Sequence, residues 1–326
     1  MTNYPIAYAC KHKDFDIRIK SRSGGVFTGI SDYILNNGGK VYGCIMTDDF
    51  MAKHVGTTDF SVRDKMRGSK YIPSDLGNTF KEVEKDLKQG IKVLYTGLPC
   101  QIDGLKSYLN AKKVKDDNLF TADIVCHGVP SPEIWKMYLD YASKRTGKTF
   151  DYVDCRDKKH FGWEEHIESL YSKNKRYSSK VFKNIYYSNE ILRPSCYCCP
   201  YKSIKRVGDI TLGDFWGIKE KASDFDDNKG VSLCLIHTPK GEALFNEAKS
   251  EYEIREFEIE DVMQTALMKS NPLPNDRAYF WDLANSKNFE KIAKEYGQDS
   301  IITRTWIKIP KSIKHVLKKI FYRSKQ

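Results

Sequence analysis

Residues 91–102 read Ile-Lys-Val-Leu-Tyr-Thr-Gly-Leu-Pro-Cys-Gln-Ile, and residues 120–132 read Phe-Thr-Ala-Asp-Ile-Val-Cys-His-Gly-Val-Pro-Ser-Pro. Each stretch opens with a short apolar run of the kind that makes a strand buried on both faces. A helical pattern over 101–109 lies between the two runs. Ser131 followed by Pro132 is an N-cap and first-turn pair that opens another helix, through Tyr141. Strand, helix, strand, helix at this spacing predicts an α/β fold with parallel neighbours. Cys100 and Cys126 then fall just past the carboxyl ends of their strands, the edge at which open α/β sheets bind ligands.

The same rhythm extends outward. Val26, Phe27, Ile30, Tyr33 and Ile34 keep a helical period over 25–35, and the run from Asn36 to Gly39 stops it before a strand at 41–45. Phe80, Val83 and Leu87 mark a further helix, ended at Gly90. Strands are expected at 209–212, 231–237 and 251–260, and helices beyond 259. Residues 144–195 are aromatic and basic with weak periodicity. The expected class is mixed α/β: a central mixed sheet flanked by helices, with a helical C-terminal extension. The expected division is a main domain over 1–245 and an extension over 246–326.

Forty per cent of the 326 residues are hydrophobic and 30% charged, the balance of a globular chain and not of a disordered one. The net charge of +11 favours anionic partners: a phosphorylated cofactor, an acidic redox protein, nucleic acid or a membrane surface. The basic residues are dispersed and no standard nucleic-acid motif is present, so nucleic acid is not expected. Met1–Cys10 lacks the layout of a secretory signal, and no run of eighteen apolar residues occurs. A cytoplasmic location is therefore expected, where clustered cysteines bind metal or do redox chemistry more often than they pair as disulfides.

Nine cysteines are present. Cys196 and Cys199 form a C-x-x-C followed by Pro200, a spacing that lets two thiolates grip one centre. No second close pair accompanies them. The remaining ligands must come from far along the chain, and the strand-edge Cys100 and Cys126 are the best candidates. Four thiolates suit either tetrahedral zinc or an iron–sulfur cluster. Cys198 is an alternative to its neighbours, and Cys10, Cys44, Cys155 and Cys234 read as structural.

Arg22-Ser23-Gly24-Gly25 precedes the helix at Val26. Glycines allow close backbone approach, and a helix N-terminus offers free N–H groups to phosphate, with Ser23 and Arg22 adding side-chain contacts. His127, beside Cys126, is a candidate donor to a cluster sulfur or to substrate, and Asp214 a candidate to bind ribose or orient a base. Asp209 shares the second reading. The run Arg156, Lys158, Lys159, His160 before Phe161-Gly162-Trp163 reads as an anion-binding loop or a solvated one. Residues 311–323 pattern as a basic amphipathic helix, suited to an anionic membrane surface or to docking on the protein's own body.

Taken together, several blocks resemble the beta-subunit family of coenzyme F420-reducing hydrogenases and dehydrogenases. They are Ser21–Phe27, Arg67–Tyr71, Thr96–Ile102, Cys126–Pro132, Arg193–Cys196 with Cys199, Asp209–Gly217 and Lys229–Ser232. They span roughly three quarters of the chain, and their order and joint occurrence are specific. The resemblance implies a bound FAD and a 4Fe-4S cluster. It places the cluster ligands on Cys100, Cys126, Cys196 and Cys199, and the flavin contacts near Ser23, Gly24, Gly25, Ser69, Lys70 and Tyr71. Relatives of this type include many proteins of bacterial polysaccharide gene clusters, so a role in polysaccharide biosynthesis is also implied. Many relatives begin with a ferredoxin-like domain of repeated cysteines, a motif not found in this sequence. A separate ferredoxin or other electron carrier is therefore expected as partner, with a hydride-carrying small molecule as substrate. The expected activity is electron transfer between that hydride carrier and a one-electron carrier, with the basic tail resting on the inner face of the cell membrane. The competing reading is a zinc- or cluster-stabilised binding or scaffold protein without catalysis.

Overall fold

The computed structural model describes residues 4–173 and 175–300 and the single positions 303, 305, 307 and 309. The basic stretch 311–323 lies outside the described residues. Two compact units divide the chain, and both are discontinuous: Met1–Val129 with Arg193–Asn271, and Pro130–Leu192 with Pro272–Gln326. The division expected at residue 245 follows another line. The strand that begins at Tyr252 belongs to the main sheet of the first unit, while 130–192 leaves that unit to join residues from 272 onward.

The strands are β1 (Ile6–His12), β2 (Lys40–Met46), β3 (Ala52–Thr57), β4 (Ser74–Asp75), β5 (Val93–Gly97) and β6 (Leu119–Ile124), followed by β7 (Tyr152–Asp154), β8 (Glu168–Ser172), β9 (Lys175–Ser179), β10 (Ile210–Asp214), β11 (Ser232–Ile236) and β12 (Tyr252–Phe257). The first unit is built on a nine-stranded sheet in the order β12-β1-β11-β10-β6-β5-β2-β3-β4. Its centre is parallel: β10 beside β6, β6 beside β5, β5 beside β2. Antiparallel strands flank that centre, β11, β1 and β12 on one side and β3 on the other. The class is mixed α/β, as the sequence pattern implies.

Alternation along the central strands decides which face each residue feeds. Leu94 joins Val26, Ile30, Ile34, Val41 and Phe245 in the core beneath the helix Val26–Asn36. Its neighbours Val93 and Tyr95 point the other way, into a core with Val83, Leu87, Ile102, Leu105 and Leu109. The helices Thr79–Lys88 and Pro99–Ala111 supply that second face. Both faces of the parallel centre are thus covered, and ligands are left the rim at the carboxyl ends of β5, β6 and β10.

The second unit carries the three-stranded antiparallel sheet β7-β8-β9 with the helices Pro132–Thr146, Val181–Tyr187, Arg277–Asn285 and Phe289–Glu295. Ser131 caps the first of these helices through its side chain, as expected. Aromatic contacts fill the unit's core: Trp135 meets Phe182 edge-on at 4.7 Å, and Tyr141 meets Phe289 at 5.3 Å. This sheet arises from the stretch whose sequence showed little period. Among the described residues, no helix is long and apolar enough to cross a membrane.

Candidate functional site: a thiol rim beside a glycine loop

The rim of the first unit gathers four separated segments. Gly97 stands opposite Asp123, and Ile124 opposite Leu212, so β5, β6 and β10 end nearly level. Cys100 does not sit in the loop after β5. It lies in the first turn of the helix Pro99–Ala111, after the N-cap Leu98 and Pro99. Cys126 follows β6 by two residues. Cys196 ends the short turn Pro194–Cys196, and Cys199 comes three residues on.

Specific ties hold these segments together. Val129 N donates to Cys196 Sγ (3.4 Å), and Arg193 N to Val129 O (2.8 Å). Tyr201 Oη reaches Asp103 on the helix that carries Cys100 (2.7 Å), and Lys106 Nζ from that helix reaches Val207 O (2.6 Å). Arg206 donates to Asp123 twice, and to the carbonyls of Tyr201 and Ile124. The loop bearing the C-x-x-C is therefore strapped both to the helix after β5 and to the end of β6.

Two of the four thiols, Cys100 and Cys126, are shifted by their surroundings. Cys126 is pushed up to about 12, mainly by burial; Lys202 works against that shift, and Cys196, Cys100 and Cys199 add to it. Cys100 is also raised, by desolvation of its sulfur and then by Cys199 and Cys196, with Arg193 opposing. The loop that carries Cys196 and Cys199 is thus tied to the segments that carry Cys100 and Cys126. Cys198 is exposed and its Sγ leans on Ser195 O (3.9 Å). Cys10 and Cys234 are buried in the core, as expected of structural cysteines. Among the described residues, no three His, Cys, Asp or Glu side chains are arranged to hold a single metal ion. A zinc ion at ~2.3 Å from each sulfur would need the sulfurs about 3.8 Å apart. A cluster bonds each thiolate to a different iron and spreads them wider. The donor chemistry, all sulfur with buried positive charge nearby, fits such a cluster.

Lys202 and Arg206 were not singled out from the sequence. Lys202 Nζ donates to Cys126 O (2.5 Å) and His127 O (2.9 Å), and the residue is 8% exposed. The signal was available only as a lysine three residues after Cys199, in a chain with 54 basic residues.

The glycine loop reaches the same rim by way of β1 and β11. Cys10, Ser232 and Asp214 stand side by side across β1, β11 and β10. Gly24 N donates to Ser232 Oγ (2.8 Å), and Ser23 Oγ to Val231 O (2.6 Å). A side chain at Gly24 would put its Cβ 2.0 Å from Cys10 O, so only glycine fits. Gly25 N-caps the helix Val26–Asn36 at φ 97°, with no side chain closing that helix end. Gly24 thus has a packing reason of its own, and Gly25 leaves an open helix N-terminus. Arg22 is half-buried in the same turn.

The second block implied for the flavin comes to the same helix. Arg67 Nε donates to Thr28 Oγ1 (2.9 Å) in the first turn of Val26–Asn36. Lys70 Nζ is held by the carbonyls of Lys65, Met66 and Arg67. It thereby closes the turn that carries Ser69 and Tyr71, both half-exposed.

His127 is half-exposed, and its carbonyl accepts from Lys202 and from Asn271 Nδ2 (2.6 Å). Asp214 ends β10 at the rim, one strand from the glycine loop, and its carbonyl accepts from Gln264 (2.7 Å). Asp209 lies at the opposite end of that strand. Its carboxylate is consumed by Thr121 N, Thr121 Oγ1 and Thr238 Oγ1, so the cofactor role considered for it gives way to a structural one. Arg156 and Lys158 are both 5% exposed, while Lys159 and His160 of the same run are exposed.

A parallel-centred sheet that carries cysteine-bearing segments and a glycine-led helix at one rim makes this a mixed α/β domain. Residues 90–262 match the family described as the C terminus of the coenzyme F420 hydrogenase/dehydrogenase beta subunit, and the chain belongs to that family. A 90-residue segment is 39% identical to the coenzyme F420-dependent sulfite reductase of Methanocaldococcus jannaschii. That segment is 27% of this chain and 14% of the relative, so the chain spans about one seventh of that protein. A chain from the F420-reducing [NiFe] hydrogenase complex of Methanosarcina barkeri shares the fold, with a TM-score of 0.57 at 18% identity over 90% of this chain and 91% of that one.

Proposed function

We propose that the protein is an oxidoreductase of the F420 hydrogenase/dehydrogenase type, holding a 4Fe-4S cluster on Cys100, Cys126, Cys196 and Cys199 and FAD at the glycine loop. The observation that carries this reading is the tying of the Cys196–Cys199 loop to the helix of Cys100 and to the segment after Cys126, on the rim that also bears Gly24 and Gly25. The sulfite reductase match supports coenzyme F420 as the hydride carrier. The hydrogenase match is to a chain taken from a complex, which supports an electron-carrying partner protein such as a ferredoxin. Bound together, flavin and cluster would supply exchange between two-electron and one-electron chemistry.

Each group of the chain has a definable task in this reading. The open N-terminus at Gly25 and the Arg22 and Arg67 guanidiniums receive the pyrophosphate. Ser69 and Tyr71 border the same pocket, and Lys70 holds their turn in shape. Asp214 accepts from a ribose hydroxyl. His127 presents a proton donor beside Cys126. The two faces of packed helices exclude water from the strands beneath. The wider setting proposed is cytoplasmic, in polysaccharide assembly.

Anaerobic purification and reconstitution test this directly. The expected product is brown, with four irons and four sulfides per chain and one FAD released on denaturation. A colourless protein containing zinc, or one with neither iron nor flavin, overturns the proposal.

A further inference from the structure

Lys202 is a charge without a counter-charge. It is 8% exposed, and among the described residues no carboxylate pairs with it. An ammonium taken out of water and left unpaired is costly, and buried lysines as a rule find an anion. The contrast with its neighbour is direct: Arg206, four residues on, is paired with buried Asp123 at 2.8 Å. An ammonium has three N–H donors. Two of those on Lys202 go to the carbonyls of Cys126 and His127. The third has no protein acceptor among the described residues. Burial disfavours the Lys202 charge and Arg206 adds repulsion, and only the nearby cysteines Cys126, Cys199 and Cys196 would favour it, once ionised. A cation built into this position is explained by an anionic occupant of the thiol rim.

We infer that Lys202 is the built-in counter-ion of the cluster, its fixed charge and remaining N–H donor stabilising the extra electron of the reduced state. The inference rests on the proposed cluster and goes beyond it, because the four cysteines alone leave the potential unassigned. The redox step is a one-electron couple. The cluster gains one electron from the carrier, its net charge falls by one, and no proton moves. A positive charge a few ångströms away favours the more negative, reduced form. Hydrogen bonds and charge around the sulfurs are the general means by which proteins set cluster potentials.

The test compares Lys202→Gln, Lys202→Arg and the parent chain, each reconstituted anaerobically. Electron paramagnetic resonance follows cluster reduction as the solution potential is stepped. Gln keeps an N–H donor for the Cys126 and His127 carbonyls but carries no charge; Arg keeps the charge. At a fixed solution potential, Lys202→Gln is expected to lower the reduced-to-oxidised ratio about tenfold, equal to a fall of about 59 mV for one electron. Lys202→Arg is expected to stay within about threefold of the parent. Iron content and thermal melting are read on the same samples. Should Gln leave the ratio unchanged with four irons bound, or should Gln and Arg shift it equally, the inference is overturned while the cluster assignment stands. If the parent chain takes up no iron and sulfide, the cluster assignment fails first and the inference with it. Loss of iron in Lys202→Gln but not in Lys202→Arg supports the counter-ion role, because the two variants differ in charge.

Discussion

The strands β6 and β10 and the loops just past their carboxyl ends treat buried charge in opposite ways. Near the start of β10, Asp209 receives three donors and gives nothing to a ligand. On β6, Asp123 is bound by Arg206, Thr211 Oγ1 and Gly208 N. Burial still lifts its carboxyl above the ordinary value against those partners. Just past Ile124, burial raises the Cys126 thiol, and among the described residues no carboxylate pairs with Lys202. Charges completed by the protein hold the strands together; charges left incomplete point to what the protein is built to receive.

The sharpest way to break this comparison is Cys126→Ala. It is expected to remove all bound iron yet change the unfolding free energy of the cofactor-free chain by only ~1 kcal/mol, since a thiol buried as a small apolar group contributes little. A large loss of stability without cofactor would make Cys126 a core residue. Iron analysis and urea titration measure the two effects.

Asp123→Ala should show the reverse. It strands the Arg206 guanidinium beneath the cysteine loop and should cost about 3–5 kcal/mol by urea denaturation. Asp209→Ala removes an acceptor from three buried donors and should cost about 1–3 kcal/mol in the same titration. If either substitution proved neutral, the supporting role of that carboxylate would be lost.

The second unit offers a case between the two. Glu168 accepts from Phe182 N with one oxygen, while its Oε2 has no hydrogen-bond partner. Burial pushes its carboxyl up to about 8. The folded chain therefore binds a proton here that the unfolded chain, titrating near 4.5, has released. The stability this contributes is complete below about pH 4.5 and is lost as pH rises through about 8. Glu168→Gln should flatten that fall, read as the pH dependence of the melting temperature. A parallel slope in parent and variant would contradict the assignment. The smallest effect is expected of Cys198→Ala, which should leave iron content and melting temperature unchanged; loss of one iron would bring Cys198 into the ligand set.

The parallel centre was legible because short apolar runs, helical periods and a Ser-Pro cap repeat at regular spacing around Cys100 and Cys126. The C-x-x-C and the two strand-end cysteines proposed to join it stood out for the same reason, since strand ends in such sheets share a rim. β1 was not legible, because Pro5-Ile6-Ala7-Tyr8-Ala9-Cys10 lacks flanking turn signals and its partners, β11 and β12, lie more than 200 residues away. The sheet β7-β8-β9 was hidden by polar residues that pair across it: Ser169 and Tyr171 both donate to Asp157, so its polar side is filled where a strand pattern needs apolar alternation. Lys202 was hidden because a lysine near a cysteine pair looks like any surface lysine until its burial is known.

Cys100 and Cys199 are separated by 98 intervening positions, yet Tyr201 and Arg206 must be in place before the second can meet the first. At a synthesis rate of about 5–20 residues per second, roughly 5–20 s pass between the emergence of the two. On the proposed reading, filling of the thiol site would therefore be a late event in the life of the chain, gated by the closing of one loop.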